Sequence, residues 1–124
     1  MGTTNLNDLV VDSLVIGGFD YTNEVEALTA DNPISIKQGM VTLTKTSPLL
    51  ATLANPTATD DDHKRLTIVS MSAQAHTVTC TGGFGKAGTG EDVATFTAAI
   101  GACLDLVAFQ GYWYVAGQHL ITIA

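Results

Sequence analysis

Short runs of alternating apolar and polar residues, separated by glycine and proline, recur along this chain and are clearest in residues 65–124. Runs rich in Thr, Val, Ile and aromatic residues with a period of two predict half-buried β-strands. Residues 104–115 contain two such runs joined by Gln110 and Gly111, which is the local pattern of a β-hairpin with a two-residue turn. The pattern therefore predicts an all-β chain that closes on a hairpin.

The predicted strands are spaced like those of a small antiparallel β-sandwich or barrel. They recur roughly every 8–12 residues with turn residues between them, as they do in these folds. Residues 19–30 fit either a short helical turn or an irregular strand, and residues 57–63 fit a polar loop. Gln38 and Gly39 would connect the second and third strands as a pair. The predicted strands are residues 9–16, 34–37, 40–46, 66–71, 76–81, 93–98, 102–109, 112–116 and 120–123.

One face of the closing hairpin is predicted to anchor the core. Successive side chains of a strand point to opposite faces, so Trp113 and Val115 share one face and Tyr112 and Tyr114 share the other. Trp113 is the only tryptophan of the chain. We predict that it is buried, and that Phe109 and Val115 are further anchors of the core.

Charge is scarce and unevenly placed. Charged residues make up 14% of the chain, well below the roughly 25% that is usual in globular domains. Such a chain is predicted to cover part of its surface in an oligomer or against a partner. Residues 1–36 hold six acidic and no basic residues, and so carry −6 of the net charge of −7. This balance argues against nucleic-acid binding. The acidic segment either docks on a basic protein surface or serves solubility.

Two segments differ in their patterns. Residues 1–32 are predicted to form an N-terminal arm with a first strand, and residues 33–124 are predicted to form the sandwich or barrel domain. The N-terminus lacks the basic and apolar regions of a signal peptide. No apolar run approaches the roughly 18 residues of a membrane-spanning helix. We therefore expect no membrane partner, and a location in the cytosol or in a particle assembled there.

Three local patterns suggest binding or catalysis, and each has a simpler interpretation. Residues 83–88 match G-x-G-x-x-G, but a dinucleotide site needs a helix after the glycines and a Thr-rich strand follows instead. Residues 60–63 are three aspartates and a histidine, whose successive side chains do not converge on one ion, so a solvated loop is predicted. His76 and His119 lack ligands at metal-binding spacing, and no G-x-S-x-G is present. We expect no enzyme activity, no cofactor and no metal.

The two cysteines, Cys80 and Cys103, lie among Thr and apolar residues in predicted strands. They are predicted to be small buried hydrophobic residues, with an inter-strand disulfide as the alternative. Threonines alternate along residues 42–46 and 77–81. Such a ladder is typical of the polar face of a sheet, and a surface that orders water or ice is the alternative.

Four segments carry a family resemblance: residues 66–71, 76–83, 94–98 and 104–117. Their order is an Ile/Val strand, a Thr-Val-Thr strand, a Thr-Phe strand and a hairpin with Gly and Trp at its turn. This order resembles a β-module of tailed-bacteriophage structural proteins, which include head decoration (cement) proteins, head fibres and tail-fibre appendages. The resemblance covers about half of the chain. Modules of this kind are commonly trimeric.

The resemblance implies a non-enzymatic virion protein. The interpretation we favour is a homotrimeric capsid decoration protein that binds the major capsid protein on the outside of the head. A fibre or baseplate component is an alternative in the same class. A carbohydrate-binding β-sandwich module, with Tyr112, Trp113 and Tyr114 as its stacking platform, is an alternative from another class. The residues of the arm that we predict to contact the capsid are Leu6, Asp8, Leu9, Val10, Val11 and Asp12.

Overall fold

The structure is a computed structural model that describes residues 15–16, 19–20, 24–85 and 91–124. These residues form strands and loops and no helix, so the prediction of an all-β fold is confirmed. The described strands are β1 (Val15–Ile16), β2 (Phe19–Asp20), β3 (Glu24–Leu28), β4 (Gly39–Leu43), β5 (Leu50–Thr52), β6 (Arg65–Ser70), β7 (Thr77–Thr79), β8 (Val93–Phe96), β9 (Cys103–Phe109), β10 (Tyr112–His119) and β11 (Ile121–Ile123).

Two mixed sheets build the sandwich. The larger sheet has the strand order β10-β9-β6-β4-β3, the smaller has the order β11-β8-β7-β5, and β1 pairs with β2 separately. The pairs β3–β4, β4–β6 and β5–β7 are parallel, whereas we predicted antiparallel sheets. The chain passes from β4 to β5 in the other sheet before it returns to β6, and parallel neighbours require a crossover of this kind.

The strand pair predicted around Gln38 and Gly39 is wrong. Ile34 instead donates its backbone N–H to the carbonyl of Thr52 at 2.8 Å, so this segment reaches the smaller sheet. Gly39 begins β4, which pairs in parallel with β3. The predicted boundary at residue 32 falls after β3, which is a strand of the larger sheet. The short strand β5 was not predicted.

A single core lies between the sheets. Alternate residues of β6 and β9 are buried, as the period of two requires. The largest buried side chain is that of Trp113, whose Nε1 donates a hydrogen bond of 2.9 Å to the carbonyl oxygen of Ala54. The fully buried aliphatic and aromatic residues that surround it come from both sheets and include Val41, Leu43, Leu49, Leu66, Ile68, Val78, Phe96, Leu104 and Leu106.

The closing hairpin has the predicted two-residue turn. Phe109 pairs with Tyr112, and both intervening residues have positive φ, 48° at Gln110 and 85° at Gly111. Positive φ at both central positions defines a type I′ turn, whose twist matches that of the flanking strands. The carboxylate of Asp62 accepts hydrogen bonds from the backbone N–H and the side-chain Nε2 of Gln110, at 2.7 and 2.6 Å. The preceding loop therefore holds the turn in place.

Only one of the three expected hairpin anchors reaches the core. Trp113 is fully buried, whereas Phe109 is 49% and Val115 is 38% exposed. Phe109 follows the buried Ala108 in an alternating strand, so its side chain points to the outside. Val115 shares the face of Trp113 but precedes a register shift between Val115 and Gly117 on the edge strand β10. The bulge ends the regular alternation there.

Candidate interaction surface

The outward side of the larger sheet is mostly apolar. Val25 and Met40 are directly paired neighbours on β3 and β4, and they are 77% and 41% exposed. Tyr112 and Tyr114 are partly exposed at the opposite edge, on β10. We call this outward surface the apolar face. It comprises Val25, Ala27, Met40, Thr42, Arg65, Thr67, Val69, Cys103, Asp105, Val107, Phe109, Tyr112, Tyr114, Gly117 and His119.

The outward side of the smaller sheet is a hydroxyl face without charge. Thr77, Thr95 and Thr122 lie side by side on three neighbouring strands. Thr52 and Thr79 form the next row. Solvated sheets normally place such polar side chains outside and apolar ones inside. Leu50, which is 60% exposed, and the partly exposed Val93 complete these two rows. The outer side of the smaller sheet is therefore mainly hydroxyl, whereas the outer side of the larger sheet is mainly apolar.

The apolar face holds one acid and one base, besides the imidazole of His119 next to Cys103. Asp105 accepts a hydrogen bond of 3.2 Å from the Thr67 hydroxyl beside it. Arg65 lies two residues before Thr67 on the same side of β6 and is exposed. Among the described residues, neither Arg65 nor Asp105 takes part in an ion pair. The two charges cancel, so the apolar face is formally neutral in a strongly acidic protein.

Exposed apolar side chains also gather at one end of the sandwich. Met71 follows β6, Ile100 lies in the loop between β8 and β9, and Leu120 links β10 to β11; they are 50%, 67% and 44% exposed. Backbone hydrogen bonds connect the chain segments at this end. The Gly101 N–H donates to the Ser70 carbonyl, and the Thr97 N–H donates to the Leu120 carbonyl. Leu120 has a φ of 58°, a value that leucine rarely adopts.

The predicted capsid contacts Leu6, Leu9, Val10 and Val11, with the acids Asp8 and Asp12, lie outside the described residues. Their role stays a prediction. The chain enters the described sandwich at β3, an edge strand of the larger sheet. The segment that holds these residues therefore precedes the edge of the apolar face along the chain.

The aromatic platform proposed for sugar binding is not assembled. Trp113 is fully buried and its indole N–H is bonded to the Ala54 carbonyl, so no sugar can stack on it. Tyr112 and Tyr114 point to the opposite side of the strand. They are partly exposed on the apolar face.

The aspartate loop is a structural junction and not the solvated tip that we predicted. The side chain of Asp61 is 7% exposed and lies 2.9 Å from Lys37 Nζ and 2.8 Å from Lys64 Nζ. It also accepts a hydrogen bond of 2.7 Å from the backbone N–H of Thr57. Burial alone would raise the pKa of this carboxyl, but the hydrogen bonds from Lys64, Thr57 and Lys37 outweigh burial and hold the pKa well below its usual value.

The substitution Asp61→Asn is expected to lower the free energy of unfolding by about 2–3 kcal/mol at pH 7, because it removes the charge shared by two lysines. A carboxyl with a lowered pKa in the folded state stabilises the fold above the unfolded-state pKa of 3.8 and loses that effect as pH falls below it. Urea unfolding at pH 7 and pH 3 measures both effects. Asp60→Asn, at the exposed neighbouring aspartate, is the control; equal losses in the two variants would contradict the junction.

Ser72 and His76 form a hydrogen-bonded pair, but its polarity is wrong for catalysis. His76 Nδ1 accepts a hydrogen bond of 3.0 Å from the backbone N–H of Leu49. The Ser72 hydroxyl donates to the Lys45 carbonyl at 2.6 Å and lies 2.8 Å from His76 Nε2. Nε2 must therefore carry the ring proton and donate it to the serine oxygen. A general base would need the reverse arrangement, so this neutral, buried histidine joins the loop between β4 and β5 to the loop between β6 and β7 and has no nucleophile to activate.

This arrangement predicts a loss of stability in weak acid. Burial, and secondly the charge of Lys45, lower the pKa of His76 below its usual 6.5. The unfolded chain then binds a proton that the folded chain does not, so stability is complete above pH 6.5 and falls below it by at most about 1.4 kcal/mol per pH unit. Urea midpoints between pH 7.5 and 5 should show this slope. His76→Gln should abolish it, and the exposed His119→Gln should keep it; a slope that survives His76→Gln would contradict the assignment.

Neither cysteine forms a disulfide. Cys80 is buried in the core and its thiol donates a hydrogen bond of 3.1 Å to Asn55 Oδ1, whereas Cys103 lies partly exposed on the apolar face. Burial is the main cause that raises the pKa of both thiols. The prediction of a small buried residue is confirmed for Cys80. Cys103 is instead half-buried on the outside.

The glycine-rich segment does not have the strand setting of a dinucleotide site. The strands β7 and β8 on either side of it are antiparallel neighbours, whereas a dinucleotide site lies in a βαβ unit of parallel strands. Phe84 is buried and forms a bridge with Trp113, and the Gly85 N–H donates to the Trp113 carbonyl at 2.6 Å. Phe84 and Gly85 therefore attach the start of this segment to the hairpin.

Comparisons with protein-family models, with curated proteins and with solved structures find no match to the chain. Within the described ranges, no helix is long and apolar enough to cross a membrane. Within the same ranges, no cluster of three or more His, Cys, Asp or Glu side chains is arranged to hold a metal ion. The apolar face is the candidate interaction site, because it exposes large apolar side chains such as Val25, Met40 and Phe109.

Proposed function

We propose that this protein is a non-enzymatic virion structural protein, specifically a capsid decoration protein that binds the major capsid protein on the outside of the head as a homotrimer. The observation that carries the proposal is the contrast between the apolar face and the hydroxyl face. A protein that coats a particle needs one surface to bury against other subunits and another to present to water. Large exposed apolar patches on soluble proteins mark such contacts.

The segments that resemble phage β-modules support the proposal by their places in the fold. Residues 66–71 correspond to β6, residues 76–83 contain β7, and residues 94–98 overlap β8. Residues 104–117 include most of the closing hairpin. These segments supply the middle of both sheets, and β6, β9 and β10 supply much of the apolar face. The proposed module is thus the part of the chain that builds the sandwich.

The proposed particle contact is the N-terminal arm. Its apolar residues would fill grooves of the capsid lattice, and its carboxylates would meet Lys or Arg on the major capsid protein. Apolar burial would supply the affinity, and the charges would supply steering and a dependence on salt. The arm precedes β3 in the chain, and β3 begins at one end of the sandwich. The exposed cluster of Met71, Ile100 and Leu120 lies at the opposite end, where β6 terminates.

Co-sedimentation with DNA-free heads of the virus that encodes the chain tests this proposal. We expect saturable binding that weakens when residues 1–8 are removed and when Asp8 and Asp12 are both changed to Asn, with a smaller effect of salt on the double variant. Asp60→Asn removes one charge from an exposed site outside the arm and serves as the control for a change in net charge. Unchanged occupancy of both arm variants at low and high salt would contradict a role for the arm.

Two alternative functions are tested by separate measurements. A fibre or baseplate component would appear on the tail and not on the head in images of intact particles. A carbohydrate-binding module would give dose-dependent signals on a glycan array. We expect no such signals, because Trp113 is buried and the exposed Tyr112 and Tyr114 lie among apolar residues of the sheet.

A further inference from the structure

We infer that the apolar face is a contact surface between copies of this chain, with Arg65 of one copy opposite Asp105 of the next. The inference goes beyond the proposed function, because it concerns which surface joins the copies and requires no virus particle. Three properties of the face carry it: its composition, its charge pattern and its size.

The composition of the apolar face is typical of a protein–protein interface. Tyr114, Val107 and Arg65 form one of its middle rows, and the row of Asp105 and Met40 is the next. Interfaces are enriched in aromatic residues and Met, as this face is with its tyrosines, Phe109 and Met40. The hydroxyl face has no aromatic residue and no Met.

The charge pattern favours another copy of this chain over a foreign partner. Arg65 and Asp105 are the only formal charges of the face, and neither takes part in an ion pair among the described residues. A surface with one acid and one base is complementary to itself: the Arg65 of each copy can meet the Asp105 of a neighbour. The chain carries −7 overall, so copies repel one another, and a neutral face is where they can approach.

The size of the face is sufficient for a specific contact. Five strands spaced about 4.8 Å apart, each with about three outward residues at intervals of about 7 Å, give a face of about 500 Å². Two such faces bury about 1,000 Å² in total, which is near the lower limit for specific interfaces. We therefore expect association at micromolar concentrations.

A matched pair of lysine substitutions tests the inference without a particle. Val107→Lys places a charge in a middle row of the apolar face, on β9, and Thr79→Lys places one on the hydroxyl face; both positions are partly exposed. Native mass spectrometry and light scattering should show multiples of the 12.9 kDa chain mass for the wild type and for Thr79→Lys. Val107→Lys should be monomeric, with at least a tenfold weaker association constant.

Charge reversal tests the pairing of Arg65 with Asp105. Arg65→Glu and Asp105→Lys should each weaken association about tenfold, because each places like charges together across the contact. The double variant should recover to within about threefold of the wild type, since its charges are exchanged. Additive losses in the double variant would contradict the pairing.

Cys103 provides a second readout, because it lies on the face while Cys80 is fully buried. Alkylation of Cys103 should slow as protein concentration rises, and should be fast at all concentrations in Val107→Lys. A wild type that remains monomeric at 100 µM, or equal behaviour of Val107→Lys and Thr79→Lys, would overturn the inference. Association through this face without binding to heads would contradict only the decoration role.

Discussion

Trp113→Ala is expected to lower the free energy of unfolding by about 3–5 kcal/mol, which is a large part of the stability of a domain of this size. The indole is fully buried between the sheets, and the substitution leaves a cavity that strands of both sheets would have to close. It also leaves the Ala54 carbonyl without the 2.9 Å hydrogen bond that the indole donates. Urea unfolding followed by circular dichroism measures the loss.

Two further variants separate the causes. Trp113→Phe keeps most of the apolar volume and removes the hydrogen-bond donor, so it should lose less than Trp113→Ala. Leu50→Ala truncates a side chain that is 60% exposed on the smaller sheet, and it should cost less than about 1 kcal/mol. A loss below about 1 kcal/mol for Trp113→Ala, together with lost glycan binding, would instead support the carbohydrate-binding alternative.

Gly39→Ala is expected to cost at least about 3 kcal/mol, because it combines backbone strain with a direct clash. Gly39 has a φ of 121°, where residues with a side chain are strained. A Cβ atom at this position would overlap the backbone of Glu24, its neighbour in the parallel pair β3–β4. The substitution should therefore detach β3 from the edge of the larger sheet, with faster amide exchange in residues 24–28.

Gly101→Ala is the matched control for Gly39→Ala. Gly101 also has a positive φ, 95°, but a Cβ atom there would meet nothing within 4 Å. The control should show only the strain of the backbone, about 1–2 kcal/mol. The difference between the two variants measures the close approach of β3. Equal losses would contradict the packing of β3 against Gly39.

The alternation of residues predicted the strands of the last third well, because each strand there has one buried face. Leu104 and Leu106 alternate with Cys103 and Asp105, and the observed β9 lies within the predicted strand. The pairing of strands could not be predicted in the same way. The parallel pairs arise because the chain alternates between the two sheets, and β5 is one of the strands that make this alternation. β5 has only three residues, which are too few for the alternation of apolar and polar residues to be recognised.

The candidate site has no sequence motif, and its only signal is a strand whose two sides are both apolar. Residues 102–109 are apolar except for Asp105, so both sides of this strand are apolar, and that signal is present in the sequence. The role of Asp61 had only a weak local signal, the nearby Lys64. Its other lysine partner, Lys37, lies 24 positions away in the chain, and the sequence alone does not show that the fold brings the two together.

Imaging of DNA-free heads after incubation with the purified chain tests the central claim most directly. We expect density for trimers on the outer surface of the head, with the larger sheets facing one another and the hydroxyl faces exposed to solvent. Val107→Lys should reduce this density, and Thr79→Lys should not. Heads that carry no added density at saturating protein, or density formed equally well by both variants, would contradict the account.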